Sequence, residues 1–271
     1  MHTPDRLTCR VRVRALTAAC VAVVLTSCSA PTDPGASGPA SAPTPSATAA
    51  DPTGTAGAAT SATGSPQASA TAPTVGTLMT QALANARAAK SVRVIGRLLI
   101  GGRSSAVQAE GQPGGANQRM ILSGRQWGTF EARAVGGVWY LKGDRAFYVA
   151  SKNPNAATLA GKWVRMTAAQ AASMRGSTVG GLLNVLLNNK DLAALTEAQL
   201  PAQVITYEGR GAYSIGRQLT SDGSEIIVSG TAPIRFLELR SGPKENVRLL
   251  FGLWNAVPPI PAPPANLIVA G

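Results

Sequence analysis

Histidine and cysteine are nearly absent from this 271-residue chain. The single histidine is His2, and the three cysteines are Cys9, Cys20 and Cys28, so the chain has neither residue type after position 28. Zinc, copper, haem and iron–sulfur sites use these side chains as ligands. Ser-His-Asp and Cys-His nucleophilic sites require them as well. We therefore expect no metal site, no cofactor and no catalytic residues of these classes.

The first residues have the charge pattern of a secretory signal. Residues 1–14 carry four arginines, and residues 15–26 are mostly small and apolar. A transmembrane helix needs about 20 apolar residues, so this stretch is too short to span a bilayer. The sequence predicts a lipoprotein signal peptide over residues 1–27.

Cys28 follows this apolar stretch directly. The segment Leu25-Thr26-Ser27-Cys28 resembles the lipobox of bacterial lipoproteins. The resemblance implies that a diacylglyceryl group carrying acyl chains such as palmitate is attached to the thiol, and that Cys28 becomes the first mature residue. The protein would then be exported and anchored to the outer face of the cytoplasmic membrane. The alternative is an incidental cysteine in a cleaved peptide.

Residues 28–74 form a segment of different composition. After Cys28 they are almost entirely Ala, Ser, Thr, Pro and Gly, with eight prolines and neither lysine nor arginine. Such a segment buries too little apolar surface to offset the entropy of ordering it. It is predicted to be a disordered tether between the anchor and the folded domain.

The folded domain is predicted over residues 75–271, and it is basic. It holds 21 lysines and arginines against 10 acidic residues. Outside the cell, phospholipid head groups and wall polymers are the available anions, and we expect no nucleic-acid partner. A generally solvated basic surface is the alternative to a specific anionic partner.

The hydrophobic pattern changes along this domain. Residues 75–90 show helical spacing, with Thr74 or Thr77 as the helix N-cap, and residues 155–200 are mostly helical with a short strand at 162–166. Two-residue alternation predicts strands over 92–100, 104–112, 117–123, 127–135, 138–142, 145–150, 203–208, 212–220, 224–229, 234–240, 246–253 and 267–270. Glycine pairs such as Gly101-Gly102 favour tight hairpins between them. The order predicts an α+β fold with helices on one face of an antiparallel sheet.

Several local sequences resemble those of one lipoprotein family. They are Val138-Trp139-Tyr140-Leu141-Lys142-Gly143-Asp144, Phe147-Tyr148, Gly161-Lys162-Trp163-Val164, the helix end Ala89–Val92, the lipobox and the proline-rich tail. With these, the chain resembles the actinobacterial LppX/LprG lipoprotein family. The resemblance implies a half-barrel, similar to the LolA and LolB carriers, in which a strongly curved antiparallel sheet covers a small set of helices. It also implies an acyl-chain cavity between sheet and helices, and brings no catalytic residues.

Helix 179–189 is apolar on nearly all sides and needs burial on more than one of them. The candidate residues for lining an acyl cavity are Leu182, Leu183, Leu186, Leu187, Trp139 and Leu141. A solid hydrophobic core would use the same residue types, so that alternative stays open. Gly176, Gly180 and Gly181 flank the helix and would either let it move as a lid or simply mark a loop.

Aromatic and acidic residues offer two further functions. Trp127, Trp139, Tyr140, Tyr148, Trp163 and Tyr207 could stack against a glycan, although aromatic residues on strands usually serve packing. A carboxylate pair drawn from Glu110, Glu131, Asp144, Glu208 and Glu238 could hydrolyse a glycoside. Asp144 looks like a turn residue, and the others alternate in a way that suggests solvent exposure. We expect no enzymatic activity.

These observations favour a membrane-anchored carrier that binds the acyl chains of a lipid or glycolipid and moves it through the cell envelope. A membrane transporter is a further candidate partner. The alternative is a solidly packed envelope lipoprotein that binds a protein or wall polymer and carries no lipid.

Overall fold

The strands that the sequence predicts, apart from that at 145–150, assemble into one sheet. A computed structural model describes residues 72–174, 178–216, 223–241 and 246–269. The predicted signal peptide, Cys28, nearly all of the tether and Gly176 lie outside these residues. The strands are β1 Val92–Ile100, β2 Arg103–Gly111, β3 Asn117–Gly124, β4 Gly128–Val135, β5 Val138–Gly143, β6 Trp163–Arg165, β7 Gln203–Tyr207, β8 Arg210–Ile215, β9 Glu225–Ser229, β10 Phe236–Ser241, β11 Val247–Gly252 and β12 Ile268–Val269.

The sheet has twelve strands in the order β12-β6-β5-β4-β3-β2-β1-β11-β10-β9-β8-β7. The sheet is curved. It is also open, because β12 and β7 are its two free edges. Neighbouring strands are antiparallel except for β12, which runs parallel to β6. The predicted α+β fold with a curved, largely antiparallel sheet and a few helices is confirmed.

The helices are α1 Val75–Arg87, α2 Arg145–Ala150, α3 Ala156–Leu159, α4 Ala168–Ser173, α5 Val179–Leu187 and α6 Lys190–Ala194, followed by a 3-10 helix at Leu195–Glu197. The predicted helix at 75–90 is confirmed, and Thr74 caps it by accepting a hydrogen bond from Thr77 N. One face of α1 is buried over Leu78, Met79 and Leu83. Helix α1 contacts α5 and the 3-10 helix, so burial of this amphipathic face stabilises it against the other helices.

The register of the sheet separates two faces. Val94, Ala109, Met120, Ala132 and Leu141 face one another across β1 to β5, and all five are buried in the hydrophobic core. We call this the inner face. Helix α5 contacts β1, β2 and β3, and helix α2 contacts β4 and β5. The core therefore lies between the inner face and the helices.

The opposite face, here called the outer face, carries the residues between these apolar positions. Arg93, Glu110, Arg119 and Arg133 form one row across β1 to β4. Because side chains alternate along each strand, this charged row and the apolar row are one residue apart.

The strand predicted at 145–150 is wrong, because these residues form helix α2. Asp144 caps the helix by accepting from Phe147 N at 2.7 Å, and its other oxygen accepts from Thr129 N in β4 at 2.8 Å. Phe147 and Tyr148 are both buried, whereas Val149 is exposed. Two adjacent buried side chains suit a helix better than a strand, in which successive side chains point to opposite faces.

The C-terminal segment crosses from β11 to the far edge of the sheet. Val257 N donates to Ser91 Oγ, and Ile260 exchanges two hydrogen bonds with the side chain of Asn117, of 2.7 and 2.9 Å. Arg133 also donates to the carbonyl of Pro261. The segment ends in β12 beside β6, which confirms the predicted edge strand.

Candidate functional site

Helix α5 is attached to the sheet at its N-terminus. Thr178 caps it by accepting from Gly181 N at 2.9 Å. Val179 N donates to Gln118 Oε1 in β3 at 3.2 Å, in a buried contact. These bonds satisfy backbone donors that the first turn of a helix leaves unpaired. They place the apolar surface of α5 over β1 to β3.

Gly180 brings the first turn of α5 close to the turn between β2 and β3. A Cβ atom at this position would lie 2.1 Å from the carbonyl oxygen of Pro113. Gly180 and Gly181 lie inside the helix and do not flank it as the sequence suggested. The structure therefore assigns Gly180 a packing role, because no larger residue fits there.

The six candidate lining residues all belong to, or pack against, the one hydrophobic core, here called the interior. Leu183, Leu186 and Leu141 are buried, with exposed fractions of 2–3%. Leu182, Leu187 and Trp139 are partly buried and pack against the same core. Val185, on the other side of α5, is 39% exposed. Occupation of this interior by an acyl chain remains a prediction.

Four methionines also lie in this interior, and the sequence analysis did not single them out. They are Met79, Met120, Met166 and Met174, all of which belong to the buried core. Methionine side chains are unbranched and flexible, so they repack around different neighbours. A sequence signal exists for two of them, because Met79 lies at an apolar position of the predicted helix 75–90 and Met120 at one of the predicted strand 117–123.

One small cavity lies at the β9–β10 side of the core. Leu192, Leu195, Ile226 and Leu239 contribute to its lining. Its volume is about 10 Å³, close to the minimum that holds one water molecule. The helices and the sheet are therefore closely packed at this place.

Paired charges occupy the outer face of β1 to β5. Glu131 accepts from Arg119 Nε at 2.7 Å and from Arg133 Nε at 2.8 Å, and Lys142 Nζ lies 3.4 Å from it. Glu110 accepts from Arg93 Nε at 2.6 Å. Burial alone would raise the pKa of Glu131, but the hydrogen bond from Arg133 and the surrounding positive charges lower it.

A second group of charges lies on the outer face of β8 to β11. Glu238 is fully buried and accepts hydrogen bonds from Arg240, Arg248 and Tyr207. Burial would raise the pKa of Glu238, but these hydrogen bonds outweigh it and lower the pKa to about 2. Burial and the bond to Glu238 raise the pKa of Tyr207 to about 12. Glu225 accepts from Ser214 Oγ at 2.6 Å.

The expectation of solvent exposure is wrong for Glu110, Glu131 and Glu238, although Glu208 is exposed. Glu110, Glu131 and Glu238 share the outer face, and all three are buried beneath arginine side chains. A general acid needs a pKa near the working pH, whereas the pKa values of Glu131 and Glu238 are lowered. Asp144 serves as a helix cap, and Glu208 lies exposed after β7 with a positive φ of 48°. Glu110, Glu131 and Glu238 therefore act as ion-pair groups and Asp144 as a helix cap, and the absence of enzymatic activity stays a prediction.

The aromatic residues are divided between several environments. Trp163 is buried on the outer face, where Arg133 and Lys142 lie over its ring at 4.7 and 4.9 Å. Trp139 points to the inner face, and Tyr148 is buried in α2. A glycan-stacking platform needs several rings on one accessible face, and these three do not provide it.

Within the described ranges, no three His, Cys, Asp or Glu side chains are grouped so that they could hold a metal ion. In the same part of the chain, no helix has both the length and the apolar character needed to cross a membrane.

Comparison with solved structures finds distant likenesses, of which one is a mycobacterial lipoprotein. The crystal structure of LprF from Mycobacterium bovis matches with a TM-score of 0.39 and 14% sequence identity, covering 71% of this chain and 99% of that chain. No protein-family model and no curated protein matches the chain.

Proposed function

We propose that this protein is an exported lipoprotein, acylated on Cys28, whose folded domain binds the acyl chains of a lipid or glycolipid. The observation that carries the proposal is the position of helix α5, whose apolar residues Leu183 and Leu186 face the inner side of an open sheet. The interior between helix α5 and the sheet is lined by flexible and aliphatic side chains. Such a lining suits a ligand without directional polar groups.

The way in which α5 is held supports such a site. Its N-terminus is fixed to β3 and to the β2–β3 turn through Val179 and Gly180. Its C-terminal part carries the partly buried Leu187 and the exposed Val185. An acyl chain would enter by displacing this part of the helix, while the buried methionines repack around the ligand.

The free energy of burying an acyl chain limits what such a protein does by itself. Burying an acyl chain gains about 0.8 kcal/mol per methylene against water and almost nothing against a bilayer. The domain therefore takes up and releases lipid without a large energetic preference, and a membrane transporter or a lipid gradient sets the direction. In this proposal the acyl group on Cys28 holds the protein at the outer face of the cytoplasmic membrane while the tether lets the domain move.

A second candidate is a packed envelope lipoprotein that binds a protein or wall polymer and carries no lipid. Close packing favours it, because Leu183 is only 2% exposed and the cavity near Leu192 has a volume of about 10 Å³. The two candidates differ in one property, which is the presence of a bound lipid.

Native mass spectrometry of the full chain carrying Cys28→Ser tests lipid binding without interference from an anchor. The protein would be purified without detergent from a lipid-rich host, and bound molecules would be identified after solvent extraction. We expect a stoichiometric lipid. A ligand-free mass, together with no uptake of added phospholipid, would contradict acyl binding and leave the packed lipoprotein as the function.

Two tryptophan substitutions on α5 locate the lipid. Leu187→Trp adds bulk toward the interior, so we expect it to reduce the bound lipid severalfold. Val185→Trp adds the same bulk on the exposed side of the same helix and serves as the control. Equal lipid content in the two variants would place the ligand elsewhere.

The anchor is tested separately. In the native host, the wild-type chain is expected in the membrane fraction with the mass of an acylated N-terminal cysteine. Cys28→Ser is expected to lose that mass and to leave the membrane fraction. Retention of the variant in the membrane, with an unchanged mass, would refute acylation at this residue.

A further inference from the structure

Two neighbouring segments at one end of the sheet border an open cleft of about 640 Å³. Arg103 and Ser104 begin β2, and Arg125 and Gln126 lie in the turn between β3 and β4. Strands β2 and β3 are paired, so the start of β2 lies beside the end of β3. The cleft is therefore built by two hairpin turns and lies outside the hydrophobic interior.

All four lining side chains are hydrogen-bond donors, and none is acidic. Arg103 and Arg125 contribute two guanidinium groups, Ser104 a hydroxyl and Gln126 an amide. Within the described part of the chain, neither arginine has a carboxylate partner. In contrast, Arg119 on the outer face is neutralised by buried glutamates. The cleft thus concentrates positive charge that the protein does not compensate locally.

One residue that lines the cleft carries an unpaired polar atom. Gln126 Nε2 is buried and has no hydrogen-bond acceptor among the described residues. Nε1 of the adjacent Trp127 also lacks an acceptor among these residues, but Trp127 packs against the hydrophobic core and does not line the cleft. Buried polar groups are nearly always paired, and leaving one unpaired costs free energy. Because this nitrogen is closed off from solvent, a ligand in the cleft would supply it with an acceptor oxygen only after the Gln126 side chain turned toward the cleft.

The backbone holds these residues in place. Gly101 and Gly102 adopt positive φ angles of 56° and 75° in the turn before Arg103. Trp127 N donates to the carbonyl of Gly124 at 3.2 Å, and a Cβ at Gly124 would lie 2.8 Å from the indole ring. The β3–β4 turn is therefore closed over its own tryptophan. The backbone of both turns is thereby defined, and a ligand would have to order only the exposed side chains of Arg103 and Arg125.

We propose that this cleft is a binding site for a phosphate oxyanion, presented either by a soluble phosphate or by the head group of an anionic phospholipid. Guanidinium groups match phosphate oxygens with paired hydrogen bonds. Two guanidinium groups, an amide and a hydroxyl supply more donors than the two oxygens of a single carboxylate can use. The site does not depend on acyl binding, because its residues lie on surface turns.

Fluorine NMR of the full chain, labelled with 5-fluorotryptophan and carrying Cys28→Ser, tests the proposal. The chain has four tryptophans, and Trp127 is next to Gln126. Trp127→Phe assigns its resonance. Inorganic phosphate replaces chloride at constant ionic strength, so that screening does not change. We expect a saturable shift of the Trp127 resonance, while the other three resonances stay in place and report that the fold is intact.

Two double variants of equal charge identify the binding groups. Arg103→Gln/Arg125→Gln removes both guanidinium groups from the cleft. Arg87→Gln/Arg210→Gln removes two exposed arginines at the opposite end of the strands, one at the end of α1 and one at the start of β8. The first variant is expected to bind phosphate at least about tenfold more weakly, as loss of two charge-assisted hydrogen bonds requires. The second is expected to bind like the parent chain.

Vesicle flotation separates the two sources of phosphate. Vesicles of phosphatidylcholine are compared with and without phosphatidylglycerol. If only the Arg103→Gln/Arg125→Gln chain loses binding to the anionic vesicles, the ligand is a lipid head group. If both double variants float equally but only the first loses inorganic phosphate, the ligand is a soluble phosphate. No saturable shift of the Trp127 resonance, or an equal shift in both double variants, would overturn the site.

Discussion

The hydroxyl of Tyr207 donates a 2.9 Å hydrogen bond to Glu238 Oε2, although two strands lie between theirs. Tyr207 ends β7 at the edge of the sheet, and Glu238 is in β10. Neighbouring strands are about 4.8 Å apart, so the bond links strands that are three spacings apart. It connects the exposed edge of the sheet to the buried ion pairs of the outer face.

Glu238 makes the folded protein sensitive to acid. Its pKa is lowered to about 2 from 4.5, so the unfolded chain takes up the proton first as the pH falls. The stabilisation from this group is therefore present above about pH 4.5 and lost as the pH approaches 2. We expect Glu238→Gln to be less stable at neutral pH and to lose less stability over this interval. Urea unfolding across the pH range measures both effects, with the exposed Glu197→Gln as control.

Tyr207 gives the opposite pH dependence. Its pKa is raised to about 12 from 10, so the unfolded chain ionises first as the pH rises. The stabilisation is complete below pH 10 and lost as the pH approaches 12. Tyr207→Phe is expected to cost about 1–2 kcal/mol at neutral pH and to remove this alkaline loss. The same alkaline profile in Tyr207→Phe and the parent chain would contradict the assignment, and Tyr213→Phe is the control.

Gly180 and Gly114 lie on the two sides of the contact between α5 and the β2–β3 turn. A Cβ at Gly180 would be 2.1 Å from Pro113 O, whereas nothing lies within 4 Å of a Cβ at Gly114. Gly180→Ala should therefore cost about 1–3 kcal/mol through overpacking, and Gly114→Ala should change stability by less than about 1 kcal/mol. Thermal unfolding of both variants checks this, and equal effects would mean that α5 does not approach the turn so closely.

Alternation along the chain predicted most strands but not which strands pair. The prediction for 92–100 coincides with β1. The pairing of β1 with β11 joins residues about 150 positions apart, such as Val94 and Phe251, and no local pattern specifies it. For the same reason the burial of Glu110 and Glu131 could not be predicted. It depends on the register that places arginines opposite or beside them, and a shift of one residue would invert the faces.

Helix α2 shows a second limit of sequence patterns. Aromatic and β-branched residues favour a strand over Arg145–Ala150. The two carboxylate oxygens of Asp144 instead bond to Phe147 N and to Thr129 N on a neighbouring strand. The tertiary contact thereby fixes a helix start that local propensity opposes. For the candidate acyl site, the sequence predicted the apolar helix α5. Only the structure shows which side of that helix faces the sheet.

Leu183 and Val185 test which side of α5 faces the sheet, because the first is 2% exposed and the second 39% exposed. Leu183→Ala removes side-chain atoms from the interior and is expected to cost about 2–5 kcal/mol. Val185→Ala acts on the same helix at the surface and is expected to cost less than about 1 kcal/mol. Urea unfolding of both variants in the lipid-extracted chain gives the comparison. Similar costs would show that Leu183 is not packed against the sheet when the interior is free of lipid, and so that α5 rests in a displaced position.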